Sequence, residues 1–362
     1  MTIRQLGVEE ELILVDQDGA PAPLATEVIA GGGTGTDDVA LVREFFLAQV
    51  EVVTAPTRSL AEIGRRLQHG RSTLRAAAEA LGVRAVAVGG PVVDAPNGPR
   101  VRDERFDGIS RVHAGIADDS LMCAVQVHVE VESRDEGVGV VDRVRPWVPL
   151  LLAISANSPY WHGRDTGFAS WRSQVWGQWP SAGPTELLGD AAAYDALTAQ
   201  MLHTGAIADA GLLNLPVRLS ARYPTVEYRV ADACTSLQDA LVVAALSRAL
   251  TETAARELRR GVAPAPWRVD QLRVAGWRAA RFGLAERLLD PVDGSPVPAR
   301  AALDTLVRHT AGALDDAGDL ALVTDALARL CEGGTGADRQ RRSFDRHGDL
   351  VAVVDDLARA TS

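Results

Sequence analysis

Acidic side chains inside apolar strand segments are the feature that most limits how this sequence can fold. Residues 3–15 read IRQLGVEEELILV, a strand pattern that contains three consecutive glutamates. Because side chains alternate between the two faces of a strand, Glu9 and Glu11 share one face and Glu10 lies on the other. Two carboxylates on a buried face cost free energy unless a counter-charge balances them. The segment is therefore either an exposed edge strand with solvated glutamates or one wall of a cation site.

The same arrangement occurs in three further segments. Residues 45–54 read FFLAQVEVVT, residues 121–132 read LMCAVQVHVEVE, and residues 225–230 read TVEYRV. The polar side chains that share a face in them are Gln49 and Glu51, then Gln126, His128 and Glu130, then Glu227 and Arg229. Any one of these faces could be solvated, but all four are better explained by one sheet with an acid-lined face. Such a face would gather two or more Mg²⁺ ions and bind a nucleoside triphosphate through them.

Strand patterns occupy the first two thirds of the chain and helical patterns the last third. From Ser236 onward the sequence is rich in Ala, Leu and Arg with helical periodicity. This order predicts the α+β class with an antiparallel sheet, in one domain spanning 1–362 whose helical portion covers about 236–362. The other segments are predicted as helices over 59–81 (N-cap Ser59), 104–116, 137–156 and 190–208, a strand over 83–88, and irregular stretches over 21–37 and 155–184.

Lysine is absent from the 362 residues, so all 37 basic side chains are arginine, against 48 acidic ones and a formal net charge of −11. This excludes a P-loop lysine, a lysine Schiff base and a lysine nucleophile. Arginine, backbone amides or metal ions must hold any phosphate or carboxylate. The candidates are Arg172, in a tryptophan-rich segment, and Arg218 and Arg229, beside the fourth acidic strand, although each could instead form a surface ion pair.

Composition also bounds the partners and the compartment. The acidic balance argues against binding to nucleic acid or to an anionic membrane surface. The three cysteines are far apart and form no CxxC pair, which fits a reducing cytoplasm. No signal peptide is expected, and no run of about 18 apolar residues suggests a transmembrane helix. We therefore expect a cytoplasmic protein that acts on small molecules.

A series of short motifs runs in order along nearly the whole chain. They are Gly7-Val8-Glu9-Glu10-Glu11-Leu12, Gln49-Val50-Glu51-Val52-Val53-Thr54, Val127-His128-Val129, residues 151–161 (LLAISANSPYW), Asp165-Thr166-Gly167, residues 179–184 (WPSAGP), residues 224–232 (PTVEYRVAD) and residues 336–341 (GADRQR). Together they resemble the carboxylate–amine ligases related to bacterial glutamate–cysteine ligase type 2.

The resemblance implies a fold like the catalytic domain of glutamine synthetase, in which an antiparallel sheet curls into a funnel with helices outside. It also implies ATP-dependent formation of an amide bond. A substrate carboxylate, typically the γ-carboxylate of glutamate, attacks the γ-phosphate of ATP, and an amine then attacks the acyl phosphate. Mg²⁺ would neutralise the phosphates while arginine stabilises the transferred group. By analogy with relatives, the protein would be a homodimer.

The resemblance also assigns roles to individual residues. The positions that match metal-site positions are Glu9, Glu11, Glu51, His128 and Glu227. Those expected to contact ATP or substrate are Gln49, Gln126, Arg172, Arg218 and Arg229. Of all these, Glu51, Arg172 and Arg229 are the candidate catalytic residues.

The sequence departs from the family pattern where substrate would bind. Relatives usually carry His-Val-His in the third acidic strand, whereas the first of these positions is Gln126 here. Residues 92–94 (VVD) replace an expected Thr/Ser-containing loop, and Asn214 and Pro216 stand where a tyrosine and an acid are usual. These changes question glutamate and cysteine as substrates more than ATP chemistry. Two alternatives stay open: a nucleotide-binding protein without turnover, and a metal-dependent hydrolase or phosphotransferase.

Overall fold

An open sheet of seven antiparallel strands is the centre of the computed structural model, which describes residues 3–32 and 38–361. The strands are β1 (Leu6–Val15), β2 (Val39–Arg43), β3 (Gln49–Thr54), β4 (Arg84–Val86), β5 (Ala124–Glu130), β6 (Tyr160–Trp161), β7 (Arg164–Asp165), β8 (Val217–Leu219), β9 (Thr225–Asp232), β10 (Arg287–Leu289) and β11 (Pro296–Pro298). The order across the sheet is β2-β3-β1-β5-β9-β8, with β4 paired to the end of β1. Strands β6–β7 and β10–β11 form two separate small sheets.

Helices lie on both faces of this sheet. They are α1 (Ala25–Gly32), α2 (Leu60–Ala80), α3 (Glu104–His113), α4 (Gly115–Asp118), α5 (Arg134–Val144), α6 (Val148–Ser155), α7 (Arg172–Trp176), α8 (Ala191–His203), α9 (Leu237–Arg259), α10 (Val269–Phe282), α11 (Ala299–Ala317), α12 (Leu320–Gly333), α13 (Gly336–His347) and α14 (Leu350–Ala360). The two longest, α2 and α9, pack against each other and against the sheet. The predicted N-cap of α2 is confirmed, since the Ser59 hydroxyl accepts a hydrogen bond from the amide of Glu62.

Strand β1 divides its side chains between two environments. Its apolar residues at even positions, such as Leu12, are buried in the core under the helices. Glu10 shares that face, where Arg71 of α2 neutralises it through hydrogen bonds of 2.8 Å (Nε to Oε2) and 2.5 Å (Nη2 to Oε1). By the alternation of the strand, Glu9 and Glu11 lie on the opposite face. This face carries the candidate site.

The predicted α+β class with an antiparallel sheet is confirmed, and so is the helical portion that follows β9, apart from the short β10–β11 pair. Three local predictions were wrong, and the stretch predicted as irregular over 155–184 also contains β6, β7 and α7. Residues 25–32 form α1 rather than a loop, because Ala25 and Val28, about one turn apart, are buried in the core. Residues 33–37 of that predicted loop lie outside the described residues. The strand predicted over 45–54 begins only at Gln49, whose amide closes a turn with the carbonyl of Phe46, and β2 precedes it.

The third correction concerns the helix predicted over 137–156. It is two helices, α5 and α6, separated around Pro146. Proline has no amide hydrogen and its ring clashes with the preceding turn, so the first helix ends there. The one-domain organisation over 1–362 stays a prediction. Within the described part of the chain, no helix is both long and apolar enough to cross a membrane.

Candidate active site

Strand pairing brings the predicted acidic residues into one continuous row. Strands β3, β1, β5 and β9 are consecutive neighbours in the sheet. Their register sets Glu11 opposite Glu51, Glu9 opposite Gln126, and His128 opposite Glu227. All four acidic segments found in the sequence therefore contribute to the same face, with carboxylates at the β1–β3 side and arginines at the β9 side.

The carboxylates at the β1–β3 side are crowded and poorly compensated. Burial, followed by the negative charges of Glu9, Glu44 and Glu11, raises the pKa of Glu51 well above its ordinary value. Burial and the charge of Glu44 raise the pKa of Glu11 to about 7. Burial also raises the pKa of Glu44 itself. Burial, without enough positive charge nearby to offset it, therefore favours the protonated form of these carboxylates.

Glu44 is a residue that the sequence reasoning missed. It lies between β2 and β3, directly before the buried Phe45 and Phe46, and interacts electrostatically with Glu9, Glu11 and Glu51. Outside the strands, it takes no part in the alternation that singled out the other acids. The only available signal was a single carboxylate beside a buried aromatic pair.

Glu9 is compensated by a histidine. His128 Nε2 lies 3.4 Å from Glu9 Oε1, and His128 Nδ1 lies 3.0 Å from the hydroxyl oxygen of Thr225. Burial alone would raise the pKa of Glu9, but the hydrogen bond and charge of His128 outweigh it, and the pKa is lowered. Two of the predicted metal-site residues are thus in contact.

Glu227, in contrast, already has two cationic partners. Arg218 forms a bidentate pair with it, at 2.9 Å (Nε to Oε2) and 3.1 Å (Nη2 to Oε1), and Arg229 donates a further hydrogen bond to Oε1. Burial would raise the pKa of Glu227, but the two guanidinium groups lower it far below its ordinary range. For Glu227 to bind a metal ion, at least one of these ion pairs has to open. Its role as a metal ligand stays a prediction.

Gln126 connects the carboxylate side of the row with its arginine side. Its Nε2 donates to Glu11 Oε1 at 2.8 Å, and Arg229 Nη1 donates to its Oε1 at 2.5 Å. An amide can donate and accept at the same time without carrying charge. The glutamine that replaces an expected histidine therefore connects a predicted metal ligand to a predicted catalytic arginine.

The two remaining predicted residues are bound mainly by backbone groups. Arg172 donates through Nη2 to the carbonyl of Arg229 at 3.1 Å and through Nη1 to that of Val230 at 3.3 Å, while its Nε is buried without a partner. Gln49 accepts from the amide of Phe46 and donates to the carbonyl of Met122. The structure thus places Arg172 beside Arg229, but it turns the side chain of Gln49 to the backbone.

A cavity of about 390 Å³ opens beside Glu9 and His128, at one end of the strands that carry the row. Its walls are largely apolar and include Val53, Pro56 and Tyr223. Among residues 3–32 and 38–361, no three His, Cys, Asp or Glu side chains are grouped so that they could hold a metal ion by themselves. A cation at these carboxylates would therefore need further ligands from water or substrate.

Known proteins resemble this chain over nearly its whole length. Residues 5–356 match the sequence model of the Glutamate-cysteine ligase family 2. A relative in Paenarthrobacter aurescens, provisionally named glutamate–cysteine ligase 2-1, is 40% identical over 361 residues (98% of this chain and 94% of the relative). A relative of the same name in Streptomyces avermitilis is 42% identical over 362 residues (99% of both chains).

Solved structures show the same fold at much lower identity. The glutamate–cysteine ligase of Francisella tularensis, solved in complex with AMP, superposes with a TM-score of 0.73 at 13% identity, covering 99% of this chain and 89% of that one. A bifunctional glutathione synthetase from Pasteurella multocida gives 0.70 at 14% identity, covering 99% and 52%. The predicted fold and the predicted enzyme class, an ATP-dependent ligase that forms C–N bonds, are confirmed. The chain belongs to the glutamate–cysteine ligase family 2.

Proposed function

We propose that the chain is an ATP- and Mg²⁺-dependent carboxylate–amine ligase that works through an acyl phosphate. The observation that carries the proposal is the row of Glu44, Glu51, Glu11 and Glu9, in which burial and mutual repulsion raise the pKa of the first three, next to Arg229. Uncompensated carboxylates favour a divalent cation, and guanidinium groups favour phosphate or carboxylate oxygens. Both are needed to transfer a phosphoryl group.

The residues present fit Mg²⁺ in particular. Mg²⁺ prefers oxygen ligands, keeps several waters, and in phosphate-transferring sites is often held by one or two carboxylates plus the phosphates. This agrees with a site in which no group of three described side chains could hold a metal ion alone. One or two side chains drawn from Glu9, Glu11, Glu51 and His128 would hold each ion, with Glu227 available after an ion pair opens. Bound there, the ion would supply the positive charge that neutralises the phosphates.

The arginines would act on the transferred group. Arg229 reaches both Gln126 and Glu227 with the same Nη1, and its Nε is buried without a partner. In the proposed reaction, a substrate carboxylate oxygen bonds to the γ-phosphorus of ATP, ADP leaves, and Arg229 and Arg172 stabilise the equatorial oxygens. The amine nitrogen then bonds to the acyl carbon, phosphate leaves, and the amine gives up a proton to the solvent.

The cavity beside Glu9 and His128 would take the nucleoside. Its apolar walls can cover the faces of a base, while the acidic row beside it would receive the phosphates through Mg²⁺. Gln126, Arg218 and Arg229 would then face the carboxylate donor toward the β9 side of the row. The names of the relatives make glutamate and cysteine the first pair to test. A homodimer and a cytoplasmic location stay predictions.

The decisive experiment measures ADP release with amino acids and amines supplied alone and in pairs. ADP release that requires Mg²⁺, a carboxylate and an amine together supports the ligase. Release with a single acceptor would indicate a phosphotransferase, and tight Mg-ATP binding without turnover would indicate a binding protein.

A metal-site variant tests the same proposal at the level of binding. Glu51→Gln or Glu227→Gln should abolish Mg²⁺-dependent nucleotide binding, measured by calorimetry. Glu132→Gln, an exposed carboxylate two residues beyond β5, is the matched control and should bind normally. If both site variants kept the wild-type affinity, the acidic row would not be the metal site.

A further inference from the structure

Two of the motifs noted in the sequence have no role in the site described so far. One is residues 151–161, which end α6 and continue to β6, and the other is residues 336–341, which begin α13. Both converge on Asp232, the last residue of β9. Asp232 is fully buried, and it lies three positions beyond Arg229 on the same strand.

The carboxylate of Asp232 is held from several sides. It accepts hydrogen bonds from the hydroxyl of Ser158 (2.7 Å), the hydroxyl of Ser170 (2.8 Å) and the amide of Asn157 (2.9 Å). Arg172 Nη1 lies 3.7 Å from its Oδ1. Burial raises the pKa of Asp232, whereas Arg172 and these hydrogen bonds lower it. A buried carboxylate with this many donors is fixed in both position and orientation.

Arg172 is held near Asp232 through both its backbone amide and its guanidinium group. The amide of Arg172 donates to the hydroxyl oxygen of Ser158 at 3.0 Å, so Ser158 bridges the start of α7 and Asp232. At the other end, the guanidinium reaches the carbonyls of Arg229 and Val230. Ser158 and Asp232 therefore determine where Arg172 stands relative to the strand that carries Arg229.

The second motif, residues 336–341, supports the residues around Asp232 by contacts with Asn157. Gln340 of α13 donates to both oxygens of Asn157, at 3.0 Å to the carbonyl and 2.8 Å to the side chain. Gly336 stands against the same residue, since a Cβ there would lie 2.1 Å from Asn157 Oδ1. This close approach requires glycine at position 336. It also holds Asn157 in place, and the backbone amide of Asn157 donates to Asp232.

We propose that Asp232 is a positioning residue, which together with Ser158 and Ser170 holds the guanidinium of Arg172 where the transferred phosphoryl group needs it. This inference rests on the proposed ligase function. Asp232 is too deeply buried to meet substrate, so it acts only through Arg172. Catalysis is sensitive to such support, because a displacement of about 1 Å in a catalytic group can cost on the order of 100-fold in rate.

A double-mutant cycle with Asp232→Asn and Arg172→Ala tests the inference. The asparagine variant keeps the shape but removes the charge that faces Arg172. We expect kcat to fall about 10- to 100-fold, with less than about a threefold change in the KM for ATP, since Arg172 would act on the transition state. In the Arg172→Ala background, Asp232→Asn should have little further effect. Asp319→Asn removes another buried carboxylate that pairs with an arginine, Arg248, and serves as the control for destabilisation.

Additive losses of kcat in the two backgrounds would overturn the inference, because they would show that Asp232 acts independently of Arg172. Ser170→Ala, which removes one of the hydrogen bonds to Asp232, should lower kcat in the same direction, and it tests the inference if Asp232→Asn does not fold. A wild-type protein without turnover would refute the proposed function instead. Crystal structures of the wild-type protein and the Asp232→Asn and Ser170→Ala variants then decide the positioning itself: a displaced Arg172 guanidinium supports it, and an unmoved one overturns it.

Discussion

The raised pKa of Glu11 makes the stability of the metal-free protein depend on pH in an unusual direction. The pKa rises from an ordinary 4.5 to about 7 on folding, a difference worth about 3 kcal/mol at about 1.4 kcal/mol per pKa unit. Between these two values the folded state binds more protons than the unfolded state. The free energy of unfolding therefore falls as the pH rises from 4.5 to 7, and the full penalty is present above pH 7.

The substitution Glu11→Gln isolates this contribution. It removes the charge, but an amide oxygen can accept from only one of the two donors that Glu11 now uses, the side chain of Gln126 and the amide of Ala124. The lost hydrogen bond costs about 1 kcal/mol. At pH 8 without metal, we therefore expect the variant to be about 2 kcal/mol more stable than the wild-type protein. At pH 5 the folded state keeps Glu11 protonated while the unfolded state has mostly lost that proton, so a penalty of about 1 kcal/mol is already present and the two proteins should be about equally stable.

Urea unfolding from pH 5 to pH 8.5 in the presence of EDTA measures both curves. Burial raises the pKa of Glu44 and Glu51 in the same direction, so the wild-type slope is steeper than Glu11 alone would give, and only the difference between the curves reports on Glu11. Glu79→Gln, on the exposed face of α2, should run parallel to the wild-type protein. Added Mg²⁺ should raise wild-type stability at pH 8 and have less effect on Glu11→Gln. Curves for Glu11→Gln and wild type that stay parallel across this range would refute the reasoning.

Three further substitutions test the scaffold by urea unfolding. Arg71→Met should cost about 3–5 kcal/mol because it leaves Glu10 charged and buried. Adding Glu10→Leu should restore part of the loss, since Arg71 also donates to the carbonyls of Cys234, Thr235 and Thr361; a double variant as unstable as the single one would contradict this. Ser59→Ala removes the N-cap of α2 and should cost about 1 kcal/mol without changing activity. Gly336→Ala should lower both the melting temperature and kcat, since its Cβ displaces Asn157; unchanged kcat in a destabilised variant would separate α13 from the site.

Period-two alternation explains why the shared face of the acidic residues could be predicted from the sequence. A carboxylate at every second position of an apolar strand can only share a face with its neighbour, so Glu9 and Glu11 were assigned correctly to the face opposite Glu10. The register that sets Glu11 against Glu51 was not predictable, because it depends on pairing between distant segments. Glu44 was missed for a related reason: it lies at a turn, where no alternation marks the direction of a side chain.

The sequence also could not predict which charged side chains pair with each other. Glu227 and Arg229 were expected to divide into a metal ligand and a phosphate ligand, yet in the folded chain they pair with each other and with Arg218. Sequence spacing shows that two side chains share a face, but not whether they neutralise each other before a ligand arrives. Likewise, the position of Gln126 was visible in the sequence, whereas its link between Glu11 and Arg229 required the structure.

The absence of lysine limits how much positive charge the chain can supply to this site. The three arginines of the site already donate to Glu227, to Gln126 or to backbone carbonyls, so little of their charge is free. Glu9, Glu11, Glu44, Glu51 and Glu227 outnumber those arginines by two, so the fully ionised face is negative before any triphosphate arrives. A site of this sign repels ATP unless cations enter with it. We therefore predict that Mg²⁺ is required for the nucleotide to bind at all and not only to accelerate the chemistry.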